Sequence, residues 1–277
     1  MNKTLKEFLF FILVVVITIA IGYGAIKLFK FGKEINKSKK DANEKLNVKW
    51  ELKLKDLIKK QIEQEERIIY EPEMDKAITK IKERLEKNLT DNPYSVEIAV
   101  VDSPIVNAAA FPGGYIVIYS GLLKLSDNPE EIASVIAHEM GHVINRDAVN
   151  ALKRQFGLAI LFSIVTGGDA TILHDMIRGV LNNRFSQSVE SKADEFAFEL
   201  LIKSGINPKH FAEMFKKMKK QYDSPVDKSL LKYFGTHPDI DSRIERAEKM
   251  SELFRGAEDR LDIDWTKAKK SLPSVFD

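Results

Sequence analysis

The sequence predicts an α+β domain that is mostly helical, with a small β-sheet beside one long helix and a single transmembrane helix before it. Three observations support this fold class. Apolar residues recur at three- and four-residue steps through most of the second half of the chain, two short runs are rich in β-branched residues, and one run near the N-terminus carries no charge. With 277 residues, 44% of them hydrophobic, the chain can form one compact domain plus an anchor.

The uncharged run extends from Phe8 to Ile26 and is long enough to span a bilayer, which takes about 20 apolar residues. A cleaved secretory signal is the alternative, but its apolar core is usually only about 7–15 residues long. Membrane lipid is therefore an expected partner, although the lysines that follow the run also suit a merely solvated linker. We predict an anchor with its flanks over residues 1–32, a lysine-rich juxtamembrane linker and helix over 33–66, the main folded domain over 67–255 and a tail over 256–277.

Periodicity and turn signals place the helices and strands of the domain. Val96–Val101 and Tyr115–Tyr119 predict strands, and the turn signal Pro112-Gly113-Gly114 comes just before the second. The apolar run Phe156–Val165 is too short to cross a bilayer, so it predicts a core helix or an interfacial patch. Helices are predicted at Pro72–Leu89, Asn128–Phe156, Gln187–Ser204, Pro208–Tyr222 and Asp239–Phe254.

The helix that begins near Asn128 carries two histidines in the pattern His-Glu-x-x-His. His138 and His142 are four residues apart, so both imidazoles project from one side of the helix and can reach one metal ion. Glu139 lies beside them, where it can accept and return a proton. The chain has no cysteine, so any zinc must be held by nitrogen and oxygen. Two ordinary histidines on a helix are the alternative interpretation.

A third ligand is predicted downstream, because a hydrolytic zinc site usually has three protein ligands and keeps a fourth position for water. Glu190 and Asp194 lie four residues apart on one face of a predicted helix, next to its apolar stripe. An unpaired carboxylate is costly in such a place. Glu190 can therefore bind the metal while Asp194 accepts the outer N–H of a ligand histidine. Two solvent-facing acids are the alternative interpretation.

The remaining acids and histidines give weaker signals. His174 and His210 have no partner at ligand spacing, so no metal role is predicted for either. Asp147, five residues beyond His142, is predicted to be a solvated acid or a neighbour of the site.

Four stretches, in this order, resemble the gluzincin metallopeptidases of the prenyl-protein-endopeptidase type, which include HtpX-like and Oma-type peptidases. They are Asn107–Ile118, His138–His142, Glu190–Asp194, and Thr236-His237-Pro238 followed by Arg243-Ile244. The resemblance covers the chain from Ile68 to Met250. It implies a zincin-like domain with endopeptidase activity and one Zn²⁺ per chain. It also implies that His138, His142 and Glu190 are the ligands and that Glu139 is the general base.

The resemblance suggests roles for residues further along the chain. His237 is expected to stabilise the oxyanion of the tetrahedral intermediate or to close the site as a reversible fourth zinc ligand, with a structural helix-cap histidine as a third interpretation. Arg243 is expected beside the same intermediate or a ligand carboxylate, with a surface ion pair as the alternative. The strand after Pro112 is expected to be an edge strand to which an extended substrate peptide adds, or else a buried strand that only packs. Its expected contacts are Gly114, Tyr115, Ile116 and Val117.

Together these features predict a membrane-anchored zinc endopeptidase that hydrolyses peptide bonds of misfolded or exposed proteins, as in protein quality control. A metal-binding chaperone-like or scaffold module with little hydrolysis is the alternative, and the intact Glu139 argues against it. The net charge of +2 implies no nucleic-acid partner, and nothing in the sequence indicates an oligomeric state. More lysines follow the anchor than precede it, which favours a cytoplasmic domain. Single-anchor members of the resembled family favour the extracytoplasmic side, which we adopt.

Overall fold

The computed structural model describes residues 48–90, 92–167, 170–223, 233–255 and 257–273. The predicted anchor Phe8–Ile26 lies outside these residues. The chain forms two compact units, Met1–Lys49 and Trp50–Asp277, and the second contains the predicted site. Within the described ranges no helix alone is long and apolar enough to cross a bilayer. One consecutive pair, Asp147–Phe156 and Leu158–Val165, reaches that length and composition together, with a bend of 107° between the two helices.

Helices dominate the described residues, and three strands form one small sheet, which confirms the mostly helical α+β prediction. The strands are β1 (Glu97–Val101), β2 (Ala108–Phe111) and β3 (Tyr115–Tyr119). The helices are α1 (residues 48–65), α2 (Pro72–Glu86), α3 (Ser120–Leu125), α4 (Pro129–Ile144), α5 (Asp147–Phe156), α6 (Leu158–Val165), α7 (Ala170–Leu181), α8 (Gln187–Lys203), α9 (Lys209–Asp223), α10 (Tyr233–Thr236), α11 (Ile240–Leu253) and α12 (Trp265–Lys270).

β3 is the central strand of the sheet, with β1 parallel on one side and β2 antiparallel on the other. A tight turn reverses the chain between β2 and β3, where Gly113 has φ 74° and Gly114 has φ 85°. Positive φ values of this kind favour glycine, because it has no Cβ. Both sides of β3 are paired, so the prediction that Tyr115–Tyr119 is an edge strand was wrong. Within the described sheet, the outer strand on that side is β2.

The predicted helix Asn128–Phe156 is in fact two helices, α4 and α5. Arg146 lies between them in the left-handed region, with φ 57° and ψ 35°, which interrupts the helical hydrogen bonding. The Arg146 guanidinium donates to the buried carboxylate of Glu51 on α1, and this contact stabilises the turn. The break allows α5 to start in a new direction, with Asp147 next to the end of α4.

α4 lies at the centre of the domain, and every residue from Pro129 to Val143 is buried. One side of α4 packs against α8. There Gly141 permits a close approach, since a Cβ at this position would lie 2.9 Å from the carbonyl oxygen of Ala193. Another side of α4 packs against β2. The central helix is therefore held between the outer strand and α8.

The far side of the sheet packs against α1 and α7. Tyr115 and Val117 of β3 belong to one apolar cluster with Trp50 and Ile58 of α1 and Ile177 of α7. The part of α1 that begins at Trp50 thus belongs to the folded unit, although the sequence placed it with the juxtamembrane linker.

Candidate metal centre

The end of α4 brings two histidines together. Asn128 caps the helix, because its side-chain oxygen accepts the N–H of Glu131 at 2.9 Å, and Pro129 occupies the first turn. Three turns later, His138 and His142 face the same point, with their Nε2 atoms 3.0 Å apart. The i, i+4 spacing on one helix is sufficient to produce this convergence.

Glu190 and His237 complete a cluster of four possible ligands. The Glu190 carboxylate oxygens lie 3.6 Å from the Nε2 atoms of both His138 and His142. His237 places Nδ1 3.0 Å from Glu190 Oε1 and 3.4 Å from His138 Nε2. One ligand atom from each of the four residues lies within 4.8 Å of all the others. None of the four residues is more than 3% exposed.

The outer nitrogens of both histidines indicate that the cluster fits a cation. His138 Nδ1 lies 3.0 Å from Asp194 Oδ1, and His142 Nδ1 lies 2.8 Å from Asp147 Oδ2. A carboxylate only accepts hydrogen bonds, so His142 donates from Nδ1 to Asp147, whereas the Nδ1 of His138 also lies 3.3 Å from Arg243 Nη2. The two Nε2 atoms lie 3.0 Å apart and converge with the Glu190 carboxylate and His237 Nδ1 on one point. Nitrogen and oxygen donors in this arrangement suit one zinc ion.

The protonation states of the buried groups agree with this interpretation. Burial, followed by the nearby Arg243 guanidinium, lowers the pKa of His138 well below its usual value of 6.5, so its ring is neutral at pH 7. Burial alone would raise the pKa of Glu190, but His237 and Arg243 outweigh it and bring that pKa to about 2. Metal ligands must be neutral imidazole and ionised carboxylate, and His138 and Glu190 meet these conditions.

Arg243 on α11 contacts both buried carboxylates of α8, Glu190 and Asp194. Its side chain is fully buried, with Nη1 2.8 Å from Glu190 Oε2 and Nη2 2.8 Å from Asp194 Oδ1. Arg246 adds a second cation, with its Nη2 2.7 Å from Asp194 Oδ2. Arg243 thus contacts a carboxylate of the cluster, and the alternative of a surface ion pair was wrong because no part of this side chain reaches solvent.

Glu139 lies between the histidine cluster and β2, with His142, His237 and Ala110 as neighbours. Its side chain is 1% exposed, and a backbone hydrogen bond from Ala110 reaches the carboxylate. The other carboxylate oxygen, Oε1, has no hydrogen-bond partner among the described residues and lies 4.0 Å from His237 Nε2. Burial raises the pKa of Glu139 to about 7, although His142 opposes the shift. A carboxyl group with this pKa can both take up and release a proton at neutral pH.

A small cavity of ≈ 10 Å³ lies beside Glu139, enough for about one water molecule. Gly114, Tyr115, Ile116 and Val117 do not line it, since the strand next to Glu139 is β2 and not β3. The residues that do line the cavity are Asn107, Ala108, Ala109, Ala110, Glu139, His142, Val180, Leu181, Phe185, Thr236 and His237.

Three neighbours of the cluster have roles that sequence reasoning missed or left open. The ring of Phe185 stacks on His142 with centroids 4.5 Å apart, and the ring of Tyr233 stacks on His237 at 4.2 Å. Neither aromatic residue belongs to a metal-ligand pattern, so no spacing signal could have found it. Asp147 contacts His142. Of its two predicted interpretations, a solvated acid and a neighbour of the site, the contact supports the second.

The two remaining histidines lie away from the cluster. His174 pairs with Glu65 at 2.8 Å on the surface, and His210 lies between Glu213 and Glu258. Among the described residues, neither histidine joins a group that could hold a metal ion.

Comparison with known proteins identifies similar chains. The model for peptidase family M48 matches residues 72–251. The beta-barrel assembly-enhancing protease of Yersinia pestis is 27% identical over 248 residues, which is 83% of this chain and 50% of that protein. The metalloprotease LoiP of Escherichia coli is 31% identical over 200 residues, 69% of this chain and 72% of that protein. The mitochondrial metalloendopeptidase OMA1 of Arabidopsis thaliana is 31% identical over 148 residues, 52% of this chain and 29% of that protein. The matched part of the chain thus spans half or less of the first and third of these relatives.

Proposed function

The chain belongs to peptidase family M48, and from this premise we propose that it is a membrane-anchored zinc endopeptidase that cleaves misfolded or exposed proteins. The observation that carries the proposal is the buried cluster of His138, His142, Glu190 and His237 with Glu139 beside it. A binding module would gain nothing from a buried carboxyl group whose pKa is about 7.

The proposed ligands are His138, His142 and Glu190, and the proposed base is Glu139. When bound, the zinc ion supplies a Lewis acid that polarises the scissile carbonyl and lowers the pKa of water to about 7. Glu139 accepts the proton of the attacking water and returns it to the departing amine. Asp147 accepts the outer N–H of His142, Asp194 lies 3.0 Å from the outer nitrogen of His138, and Arg243 keeps the carboxylates of α8 in place.

His237 has two proposed roles in two arrangements of the site. Its Nδ1 lies among the ligand atoms, which supports the role of a fourth ligand that closes the site. His237 and Phe185 both line the small cavity beside Glu139, so a shift of these two side chains is the proposed way to admit substrate. Once displaced from the ligand position, the imidazole N–H can donate to the oxyanion of the tetrahedral intermediate.

The outer edge of β2 is the proposed place for substrate. Residues Ala108 to Ala110 line the cavity beside Glu139, and their small side chains leave the strand backbone approachable. A peptide that pairs with this edge is held by main-chain hydrogen bonds, which depend little on its sequence. Only extended segments can pair in this way, and such segments occur in misfolded or exposed chains. The run Phe8–Ile26 is the proposed anchor, with the catalytic domain on the extracytoplasmic side.

Substitution of the proposed base tests the activity. The full chain in detergent and its Glu139→Gln variant are loaded with zinc, metal content is measured, and cleavage of an unfolded casein substrate is followed. Both proteins are expected to bind about one zinc per chain, and the variant is expected to lose at least about 100-fold in cleavage rate because the proton acceptor is gone. Glu199→Gln, an exposed glutamate on α8, is the matched control and is expected to cleave like the wild type.

Two results would contradict the proposal. Equal cleavage by the wild type and Glu139→Gln would exclude Glu139 as the base. A wild-type protein that holds zinc and binds the unfolded substrate without cleaving it would favour the chaperone-like alternative.

A further inference from the structure

The exposed apolar side chains of the described residues concentrate on one short helix. Five large apolar residues are clearly exposed among the described residues, and three of them, Leu158, Ile160 and Phe162, lie on α6. This helix buries Leu161 and Ile164 against the domain and contains no charged residue. α6 therefore directs an uncharged apolar face outward, and the other described residues leave this face largely exposed.

The polar atoms on this outer face are already hydrogen-bonded within the helix. Ser163 Oγ donates to the carbonyl oxygen of Ile160 at 2.8 Å, and Thr166 Oγ1 lies 3.1 Å from the carbonyl oxygen of Phe162. A hydroxyl group without a partner is costly in hydrocarbon, whereas in water the solvent satisfies it. Internal pairing of both hydroxyls therefore makes this face compatible with lipid.

Cations lie on two helices that adjoin α6, namely α5 and α1. Lys153 and Arg154 occupy the last turn of α5, directly before α6, and Arg154 is exposed. Lys53 on α1 is exposed one turn after Trp50, whose ring packs against Phe162 with centroids 5.7 Å apart. Basic residues next to an exposed apolar helix are typical of segments that lie in the interface of an anionic membrane.

We propose that α6 is a second membrane contact of this protein. The side chains of Leu158, Ile160 and Phe162 insert among lipid acyl chains, and the cations of the α5 end contact anionic headgroups. Trp50, at the start of the unit Trp50–Asp277, contacts Phe162 of this face. A second copy of the chain fits the face less well, because three side chains fall short of the roughly 800 Å² that each partner buries in a stable interface. The proposal goes beyond the proposed activity and holds whether or not the site cleaves peptides.

Lipid quenching of a single fluorophore tests the contact directly. The chain has no cysteine, so Leu158→Cys creates one labelling site, and Leu253→Cys on α11 is the matched control. These leucines are 53% and 60% exposed. The full chain with an environment-sensitive dye at either site is reconstituted in phosphatidylcholine–phosphatidylglycerol vesicles that contain nitroxide-labelled lipid. The amount of bound zinc and the urea unfolding midpoint show whether each variant is folded. If Leu158→Cys does not fold, Ala159→Cys, at the next exposed position on α6, replaces it.

The dye on α6 is expected to emit at shorter wavelength and to be quenched, more strongly by nitroxide near the headgroups than by nitroxide at the bilayer centre. An interfacial helix lies only about 5–10 Å deep, which explains this order. The dye at Leu253→Cys is expected to show neither effect. Replacement of Lys153 and Arg154 by glutamine is expected to reduce the quenching on anionic vesicles and to leave it unchanged on pure phosphatidylcholine. Absence of quenching on α6, or a blue shift that depends on protein concentration and not on quencher lipid, would overturn the proposal and indicate contact with water or with a second copy.

Discussion

The carboxylate that contacts His142 gives a sharp test of the metal centre. Asp147 Oδ2 accepts the outer N–H of His142 at 2.8 Å, which fixes the ring with its Nε2 lone pair towards the other ligands. Asp147→Asn keeps an oxygen acceptor and removes the charge. Asp147→Ala removes the acceptor altogether. We therefore expect a graded loss of zinc affinity in the order wild type, Asn, Ala.

The size of the loss follows from the role of the contact. Outer partners of ligand histidines contribute about 10–100-fold to metal affinity, or about 1.4–2.8 kcal/mol. The asparagine variant is expected near the lower limit and the alanine variant near the upper one. Asp147 also lies in the first turn of α5, where an acid stabilises a helix by about 0.3–1 kcal/mol. That contribution must be separated from the effect on the metal.

Competition between the protein and a chromophoric zinc chelator at pH 7 measures the affinity, and urea unfolding of the metal-free protein measures stability. Asp241→Ala is the matched control, because Asp241 is also an acid in the first turn of a helix and is 75% exposed in a surface ion pair. It is expected to lose a similar amount of stability and no zinc affinity. Zinc affinities within about twofold of wild type for both Asp147 variants would refute the argument that this carboxylate orients His142.

Two further substitutions address the packing of α4 and the attachment of α1. Gly141→Ala should lower the free energy of unfolding by about 1–3 kcal/mol and weaken zinc binding. The new Cβ would lie 2.9 Å from the Ala193 carbonyl oxygen and would separate α8 from α4. A variant that is more stable than the wild type in urea unfolding would contradict this close approach. Glu97→Gln should cost about 0.5–1 kcal/mol at pH 7, a modest figure because Glu97 is 37% exposed. Hydrogen bonds from Lys55 and then Lys59 lower the pKa of Glu97, so its contribution is present above the usual glutamate pKa and is lost as the pH falls through the lowered value. Unfolding of the wild type and the variant should therefore converge in acid, and a constant difference at all pH values would show that the ion pairs contribute nothing.

Features that depend on one helix could be predicted from the sequence. The convergence of His138 and His142 needs only the helical repeat, and the same is true of the shared face of Glu190 and Asp194. The apolar periodicity of the segments that became α2, α8 and α9 is likewise local. His237 has no local signal of its own, and only a resemblance to known sequences pointed to it.

Features that depend on contacts between distant segments could not be predicted in the same way. The order of the strands places β3 in the centre, and no pattern within Tyr115–Tyr119 distinguishes a central strand from an edge. Arg146, at the helix break, contacts Glu51, which lies 95 residues earlier, and no local pattern indicates this contact. The stacking of Tyr233 on His237 likewise depends on how α10 docks.

The ion pairs between α8 and α11 have a consequence for the order of synthesis. Arg243 follows Asp194 by 49 residues, and at about 5–20 residues per second a ribosome needs roughly 2–10 s to make that stretch. During this interval the buried guanidinium that contacts Glu190 and Asp194 in the folded domain has not yet been made, and His237 comes only shortly before it. The metal centre therefore forms only after nearly the whole domain has been translated.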